Sequence, residues 1–186
     1  MYKPLTVQIG PTLKRARQQQ KLSLRALGAR TGFSASFLSQ VELGQASPSL
    51  ASLEKIAGAL GLTLGQLLNE PVVAKGPIFR RRNEEGLRSE WSKASLQSLL
   101  PAGAHENVSV LLVRLAPGGR SGEPAASSGG RQLALCIRGR LVLTVDGTVY
   151  ELREGDNIFL DSVSGLRWEN RGRHSAELLL VHLRDR

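Results

Sequence analysis

The residue types that perform most catalytic and metal chemistry are scarce in this sequence. It has three histidines (His105, His174 and His182) and a single cysteine, Cys136. One cysteine cannot form an internal disulfide, and with three scattered histidines it cannot build a cysteine-rich zinc site. The sequence also contains no nucleophile elbow, phosphate-binding loop or catalytic pair of carboxylates. We therefore predict no catalytic residue, no metal site and no cofactor, with His174 and His182 in structural or surface positions.

Binding chemistry is better supported, because the sequence is strongly basic. The 25 lysines and arginines against 16 acidic residues give a formal net charge of +9 and an isoelectric point near 10.6. Residues 1–70 carry +5 and the remaining 116 residues carry +4, so the charge density is higher in the N-terminal part. This composition makes a polyanion a plausible partner, although a basic surface is often merely solvated.

The sequence gives no sign of export or membrane insertion. Its first 20 residues lack the apolar stretch of a secretory leader, and no segment approaches the roughly 18 apolar residues that span a bilayer. We expect a folded cytoplasmic protein without membrane contact.

Apolar spacing and end signals predict five short helices in the first 68 residues. Ser23, Ser34 and Ser49 are typical N-cap residues for the second, third and fourth helices, and Thr63 caps the fifth. Gly32 supplies the left-handed residue that ends the second helix. Two short helices across a glycine turn are the ingredients of a DNA-binding helix-turn-helix. A small helical bundle used for protein contact would show the same periodicity.

Residue identities favour the first interpretation. Residues 22–68 read LSLRALGARTGFSASFLSQVELGQASPSLASLEKIAGALGLTLGQLL. This string resembles the Xre/Cro/C1-type helix-turn-helix family, most clearly in FLSQVELG and the following Pro-Ser-Leu, and the resemblance covers residues 9 to 68. It implies that the third helix, from Ser34 to Glu42, enters the major groove of DNA.

The outward positions of this third helix are Ala35, Ser36, Ser39 and Gln40, and all are small or neutral. Gln40 is the main candidate for reading a base, because glutamine can pair with adenine through two hydrogen bonds. Several basic residues are candidates for phosphate contacts, although each could equally be a solvated surface residue. The predicted DNA contacts are Arg17, Lys21, Ser23, Arg25, Arg30, Ser34, Ala35, Ser36, Ser39 and Gln40.

Two residues at the end of this helix are not among the predicted DNA contacts. Glu42 matches a family glutamate and is expected to brace the fold, because phosphates repel a carboxylate. At Leu43 the family commonly has a basic residue, so one phosphate contact is expected to be missing.

Beyond residue 71 the sequence changes to short apolar runs punctuated by glycine, typical of an antiparallel sandwich or barrel. Asp146-Gly147 is a strong hairpin signal. Only SKASLQSLL, near residue 96, has a pattern that could be helical.

The stretch IRGRLVLTVDGTVYELREGDNIFL, followed by a strand ending at Asn170, resembles the cupin double-stranded β-barrel. The first cupin motif, His-x-His-x3-Glu-x6-Gly, ends here on Gly139, so its ligand positions are occupied by Ala126, Ser128 and Gln132. The second motif ends at Asn170 and has Leu166 in place of its histidine. The resemblance therefore implies a barrel that binds no metal at these positions.

The motif positions face the barrel interior in the family, so the resemblance implies an effector pocket there. Ala134 and Cys136 follow on the same strand alternation. Three arginines could supply a positive group for a carboxylate effector, or could equally face solvent. The predicted pocket residues are Arg114, Arg120, Ala126, Ser128, Arg131, Gln132, Ala134, Cys136 and Leu166.

Together the resemblances imply a two-domain fold, α plus all-β. Residues 1–70 would form the Xre-type helix-turn-helix DNA-binding domain with five helices. Residues 71–95 would form a linker and first strand region, and residues 96–186 a cupin sensor domain.

The expected function is sequence-specific transcriptional regulation, with repression favoured. The regulator would be a homodimer that binds a double-stranded DNA operator and a small-molecule effector. Two alternatives remain open. One is a cupin metalloenzyme with a vestigial DNA-binding domain, and the other is an antitoxin-like regulator that acts through a protein partner.

Overall fold

The N-terminal part of the molecule is helical. The computed structural model describes residues 9–68, 86–101, 107–122, 130–161 and 166–183. The first of these ranges contains the five predicted helices, α1 (Ile9–Gln19), α2 (Leu24–Thr31), α3 (Ala35–Glu42), α4 (Leu50–Ala59) and α5 (Leu64–Leu68). None of the described helices is long and apolar enough to cross a membrane.

Local capping fixes where these helices begin. Ser23, Ser34 and Ser49 are each extended, and each hydroxyl accepts a hydrogen bond from the amide three residues later, at 3.1 Å. Thr63 caps α5 in the same way, while the Gln66 side chain bonds back to the Thr63 amide at 2.8 Å. These contacts satisfy amides that the helices leave without partners, and they confirm the predicted starts.

The remainder of the described chain is antiparallel β-structure. Its strands are β1 (Leu87–Ser89), β2 (Ala94–Ser98), β3 (Val108–Leu115), β4 (Arg131–Arg138), β5 (Arg140–Val145), β6 (Thr148–Arg153), β7 (Asn157–Asp161), β8 (Leu166–Glu169) and β9 (Ala176–Leu183). They form a six-stranded sheet in the order β1-β2-β3-β9-β4-β7 and a three-stranded sheet in the order β6-β5-β8. The two-domain fold, α plus all-β, is therefore as predicted.

Strand alternation directs side chains either between the sheets or outward. Along β3, Ser109, Leu111, Val113 and Leu115 are buried, whereas the residues between them are only half-buried. The Asp146-Gly147 hairpin joins β5 to β6, with positive φ at both residues, as its sequence predicts.

The segment around residue 96 corrects the sequence interpretation. SKASLQSLL is not helical, because Ala94–Ser98 form strand β2, and Leu96 lies opposite Val113 with 1% of its surface exposed. Strand pairing decides the structure of so short a segment. Strand β1, Leu87–Ser89, lies in the predicted linker and first strand region, residues 71–95, and residue 96 lies inside β2. The end predicted at residue 70 lies outside the described residues.

Candidate functional site

Helix α3 presents a small, uncharged outer surface. Ser36 and Gln40 are exposed and lie one turn apart, while Ala35 and Ser39 are half-buried beside them. Leu43, directly after the helix, is 62% exposed. The opposite face of α3 is packed in the core of the helical domain. The predicted base-contacting residues thus lie together on a free surface, extended by an apolar side chain that the sequence analysis had not assigned to DNA.

Two of the predicted DNA contacts are capping residues. Ser23 and Ser34 are exposed at the starts of α2 and α3, and each hydroxyl accepts an amide hydrogen bond. Each hydroxyl keeps its own hydrogen for donation, and helix N-termini favour anions. Both positions suit phosphate contact.

The predicted basic contacts fall into two groups. Lys21 and Arg25 are exposed. Arg30 is also exposed, and its guanidinium reaches the Ala59 carbonyl at 3.4 Å. Arg17 differs, because only 9% of its surface is exposed.

Arg17 is a structural residue, which corrects the prediction that it contacts phosphate. Its Nε and Nη2 donate to the two carboxylate oxygens of Glu42 at 2.6 and 2.9 Å, and its Nη1 donates to the Leu22 carbonyl at 2.7 Å. The carboxylate raises the pKa of Arg17. The pair joins α1 to the end of α3, so Glu42 braces the fold and Arg17 is its partner.

A cavity of about 60 Å³ lies between the helices and the barrel. Its helical wall consists of residues from α4, α5 and the turn between them, namely Leu50, Ala51, Glu54, Leu62, Thr63 and Leu64. Its barrel wall includes Ser109, Gln132, Leu166, Trp168, Leu180 and His182. Residues of both domains therefore line one cavity.

Only some of the predicted pocket residues reach this cavity. Gln132 and Leu166 line it. Ala126 and Ser128 lie outside the described residues. His182, interpreted from sequence as structural or superficial, lies opposite Gln132 on the neighbouring strand and also lines the cavity. Strand register could have indicated this position, but only with the sheet order known.

Ala134 and Cys136 point inward as predicted but are packed in the core, both with 0% exposure, and neither lines the cavity. Burial raises the pKa of the Cys136 thiol. The thiol therefore stays protonated and unreactive at neutral pH.

The three predicted pocket arginines do not line the cavity, which corrects that prediction. Arg114 follows an inward residue on β3, so it faces outward, where its Nε contacts a Glu177 carboxylate oxygen at 3.1 Å. Arg120 is exposed and stacks over the Trp91 ring at 4.9 Å. Arg131 is exposed and immediately precedes the inward Gln132, so it faces the other side of β4.

The residues present do not fit a metal of the cupin type. The two described motif positions hold an amide, Gln132, and an alkyl side chain, Leu166, where imidazole or carboxylate would be needed. Among the described residues, no group of three or more histidine, cysteine, aspartate or glutamate side chains could hold a metal ion.

Comparisons with known proteins match this architecture in both domains. A helix-turn-helix family model matches residues 13–67, and a cupin domain model matches residues 111–182. The chain is therefore a transcriptional regulator that joins a helix-turn-helix domain to a cupin domain.

Three similar proteins match most of this chain, across both domains. The HTH-type transcriptional regulator PuuR of Escherichia coli is 24% identical over 153 residues, 82% of each chain. The HTH-type transcriptional regulator SutR of the same species is 27% identical over 150 residues, covering 81% of this chain and 80% of SutR. The crystal structure of an HTH_3 family transcriptional regulator from Vibrio cholerae has the same fold over 97% of both chains, with a TM-score of 0.74 and 22% identity.

The two domains of this regulator meet at the start of α4. The Leu50 amide donates to the Ser92 hydroxyl at 3.2 Å, and the Ala51 amide donates to the Ser121 carbonyl at 3.0 Å. The Ser89 hydroxyl donates to the Pro48 carbonyl at 2.8 Å. The barrel thus provides partners for amides that the first turn of a helix always leaves open. We call these contacts, between residues 47–51 and residues 89–92 and 121, the domain interface.

Helix α5 makes the second contact of the regulator's helical domain with the barrel. A Cβ atom on Gly65 would lie 3.0 Å from the Cβ of Ser109 and 3.8 Å from a methyl group of Leu111. Glycine therefore lets α5 lie directly on β3, beside the cavity. No other residue type would allow this approach without displacement.

Proposed function

We propose that this regulator is a homodimeric repressor whose affinity for operator DNA changes when a small molecule binds in the cavity between its domains. The DNA-binding domain ends near residue 70, and the sensor domain includes the sheet from Leu87 onward. The observation that carries the proposal is the cavity wall, because both domains contribute to it. The sensor domain is a binding domain without catalytic chemistry.

DNA recognition is assigned to the outer surface of α3. Gln40 and Ser36 provide hydrogen-bonding groups for base edges, and Leu43 and Ala35 provide apolar contact for thymine methyl groups. Ser23, Ser34, Lys21, Arg25 and Arg30 would hold the DNA backbone.

Dimerisation is assigned to the outer face of the six-stranded sheet. Leu112, Leu179 and Leu135 lie side by side on β3, β9 and β4, and Leu133 lies opposite Phe159 of β7. Their sequence neighbours point inward and are mostly buried, so these side chains form an outward apolar stripe, and Phe159 is 57% exposed. Such a stripe is typical of an interface. A dimer would place two α3 helices on two operator half-sites.

The jointly built cavity provides a direct route from effector to DNA. A ligand that touches α4 and the barrel at once binds one arrangement of the two domains better than another. That difference in affinity is the only way a ligand can change DNA binding, with typical couplings of about 1 to 3 kcal/mol.

The DNA assignment is tested by changing Gln40 and Lys21. Operator fragments are first selected from genomic DNA with the full chain. Gln40→Ala is expected to weaken operator binding by about 1 to 3 kcal/mol and to relax discrimination at one base position. Lys21 has positive φ, which asparagine tolerates, so Lys21→Asn removes the charge without straining the backbone. Lys21→Asn is expected to weaken binding to all DNA sequences equally and to reduce the dependence of binding on salt concentration. Unchanged operator binding by both variants would refute the assignment.

The effector assignment is tested by filling the cavity. Gln132→Trp places a large side chain into the cavity from the barrel side. It is expected to abolish the effector response to an extract of small metabolites while operator binding persists. A response that survives in the folded variant would refute the assignment.

A further inference from the structure

The wall of the cavity contains an unpaired carboxylate. Glu54 lies on α4 one turn after Leu50, so both residues share the helix face that covers the barrel. Within the described residues Glu54 has no hydrogen bond and no ion pair. Glu54 is half-buried, and its removal from water raises the pKa of its carboxyl group.

The rest of the described wall offers no positive partner. No lysine or arginine lines the cavity, and its other polar groups include the neutral side chains of Thr63, Ser109 and Gln132. His182 is the second titratable residue of the wall, and it has an interaction of its own within the chain. A carboxylate withdrawn from water without a partner costs free energy, and a cation would recover that cost.

We infer that the cavity binds a small organic cation whose protonated amine pairs with Glu54 and whose carbon atoms lie against Leu166, Trp168 and Leu180. The inference rests on the proposed function, because it specifies the chemical class of the effector. The amine end would lie at the helical wall and the hydrocarbon end in the barrel.

Cavity size limits the ligand. A cavity needs roughly 10 to 15 Å³ to hold one water molecule. The available volume, about 60 Å³, is several times larger, so it admits a small ligand. A primary amine with a short alkyl chain meets both the size and the charge.

The position of Glu54 also sets the mechanical effect of such a ligand. The counter-ion of the ligand, Glu54, belongs to the DNA-binding domain, whereas the side chains that contact the ligand's hydrocarbon part belong to the barrel. Both sets of contacts exist together only while α4 is docked at the domain interface. The cation therefore stabilises the docked arrangement of the two domains.

The test measures ligand binding by titration calorimetry on the full chain. Three probes of nearly equal size differ in charge: n-butylammonium, n-butanol and butyrate. The wild type is compared with Glu54→Gln and with Glu154→Gln, a matched change of an exposed glutamate in the turn after β6. We expect n-butylammonium to bind the wild type and Glu154→Gln most tightly. Its affinity should fall about tenfold or more in Glu54→Gln.

A second variant tests independently whether the ligand binds in the cavity. Gln132→Trp fills the cavity from the opposite wall and should also abolish binding of n-butylammonium. Equal affinity of the wild type for butyrate or n-butanol would overturn the inference. So would unchanged n-butylammonium binding in Glu54→Gln, or binding of none of the probes to the wild type.

The same samples separate this inference from the proposed function. Operator binding is measured with the selected genomic fragments, and it does not depend on the charge of Glu54. Specific DNA binding without amine binding would overturn the inference alone. A wild type that binds no DNA sequence specifically would overturn the proposed function.

Discussion

Arg17 and Glu42 are both nearly inaccessible, with side-chain exposures of 11% and 8%, and they hold α1 against α3 through two short contacts. Removing one partner leaves the other charge buried without compensation. Arg17→Ala is therefore expected to lower the free energy of unfolding by about 3 kcal/mol, measured by urea denaturation. Arg25→Ala, on the exposed side of α2, should change it by about 0.5 kcal/mol or less. Similar losses of unfolding free energy in both variants would show that the Arg17–Glu42 pair does not stabilise the fold.

Glu54 gives a prediction about pH. Because burial raises its pKa, the folded protein holds this proton more tightly than the unfolded chain does. Its contribution to stability is therefore greatest below the ordinary glutamate pKa of 4.5 and declines as the pH rises through the raised pKa. Glu54→Gln cannot ionise, so it should have a higher melting temperature than the wild type at pH 7 and nearly the same one at pH 4.

Other groups titrate in the same range, so the comparison needs a control. His182 shares the cavity wall and is present in both proteins. Glu154→Gln should follow the wild type at both pH values. An advantage of Glu54→Gln that grows as the pH falls would contradict the sign of the shift.

At the level of elements, the start of α4 depends on the barrel. Ser89 is 2% exposed, and its hydroxyl donates to the Pro48 carbonyl while accepting from the Ser92 amide at 3.2 Å. Ser89→Ala leaves both groups without partners in a buried place. It should lower the free energy of unfolding by about 1 to 3 kcal/mol and weaken the effector response, because α4 is less firmly docked.

The matched control for this change is Ser95→Ala, a half-buried serine on β2 that takes no part in the described hydrogen bonds of the domain interface. Its stability and effector response, measured by urea denaturation and by operator binding, should stay close to those of the wild type. A Ser89→Ala variant indistinguishable from it would mean that the domain interface contributes nothing to docking.

Sequence was a good guide wherever structure is determined locally. Serine caps and the Asp146-Gly147 turn act within a few residues, so their effect can be read from neighbours along the chain. The helical interpretation of residues 94–98 was wrong, because their conformation is determined by pairing with β3, which is distant in the sequence.

The cavity could be predicted only in part for the same reason. Gln132 and Leu166 followed from the resemblance, but the helical wall exists only because α4 and α5 dock on the barrel. A signal for Glu54 was available, because a glutamate one turn from the buried Leu50 interrupts an apolar helix face. The position of a residue along a helix, however, does not show whether its side chain faces a cavity or solvent. The outward direction of Arg114 followed from alternation once β3 was placed.

For the whole molecule, the proposed dimer predicts the effect of a charge on the outer sheet. Phe159→Glu replaces an exposed ring on β7, so the fold of one chain should be unaffected. Burying that carboxylate between two sheets would be costly, and the variant should be monomeric by light scattering. The affinity for the operator should also fall, since two separate monomers would then bind the two half-sites independently.

Val149→Glu is the matched change, because Val149 is also 57% exposed but lies on β6 of the other sheet. This variant should keep the mass and the operator affinity of the wild type. A dimer that survives Phe159→Glu but dissociates with Val149→Glu would move the interface to the three-stranded sheet.

The described hydrogen bonds of the domain interface join uncharged groups only, namely serine hydroxyls, backbone amides and carbonyls. Dissolved ions screen contacts between charges but leave such bonds nearly unchanged, whereas contacts with phosphate weaken steeply as salt is added. A protein with a net charge of +9 can be expected to carry nucleic acid fragments through purification. A wash in concentrated salt should strip these fragments without separating the two domains, and so leave the protein ready for measurements of small-molecule binding.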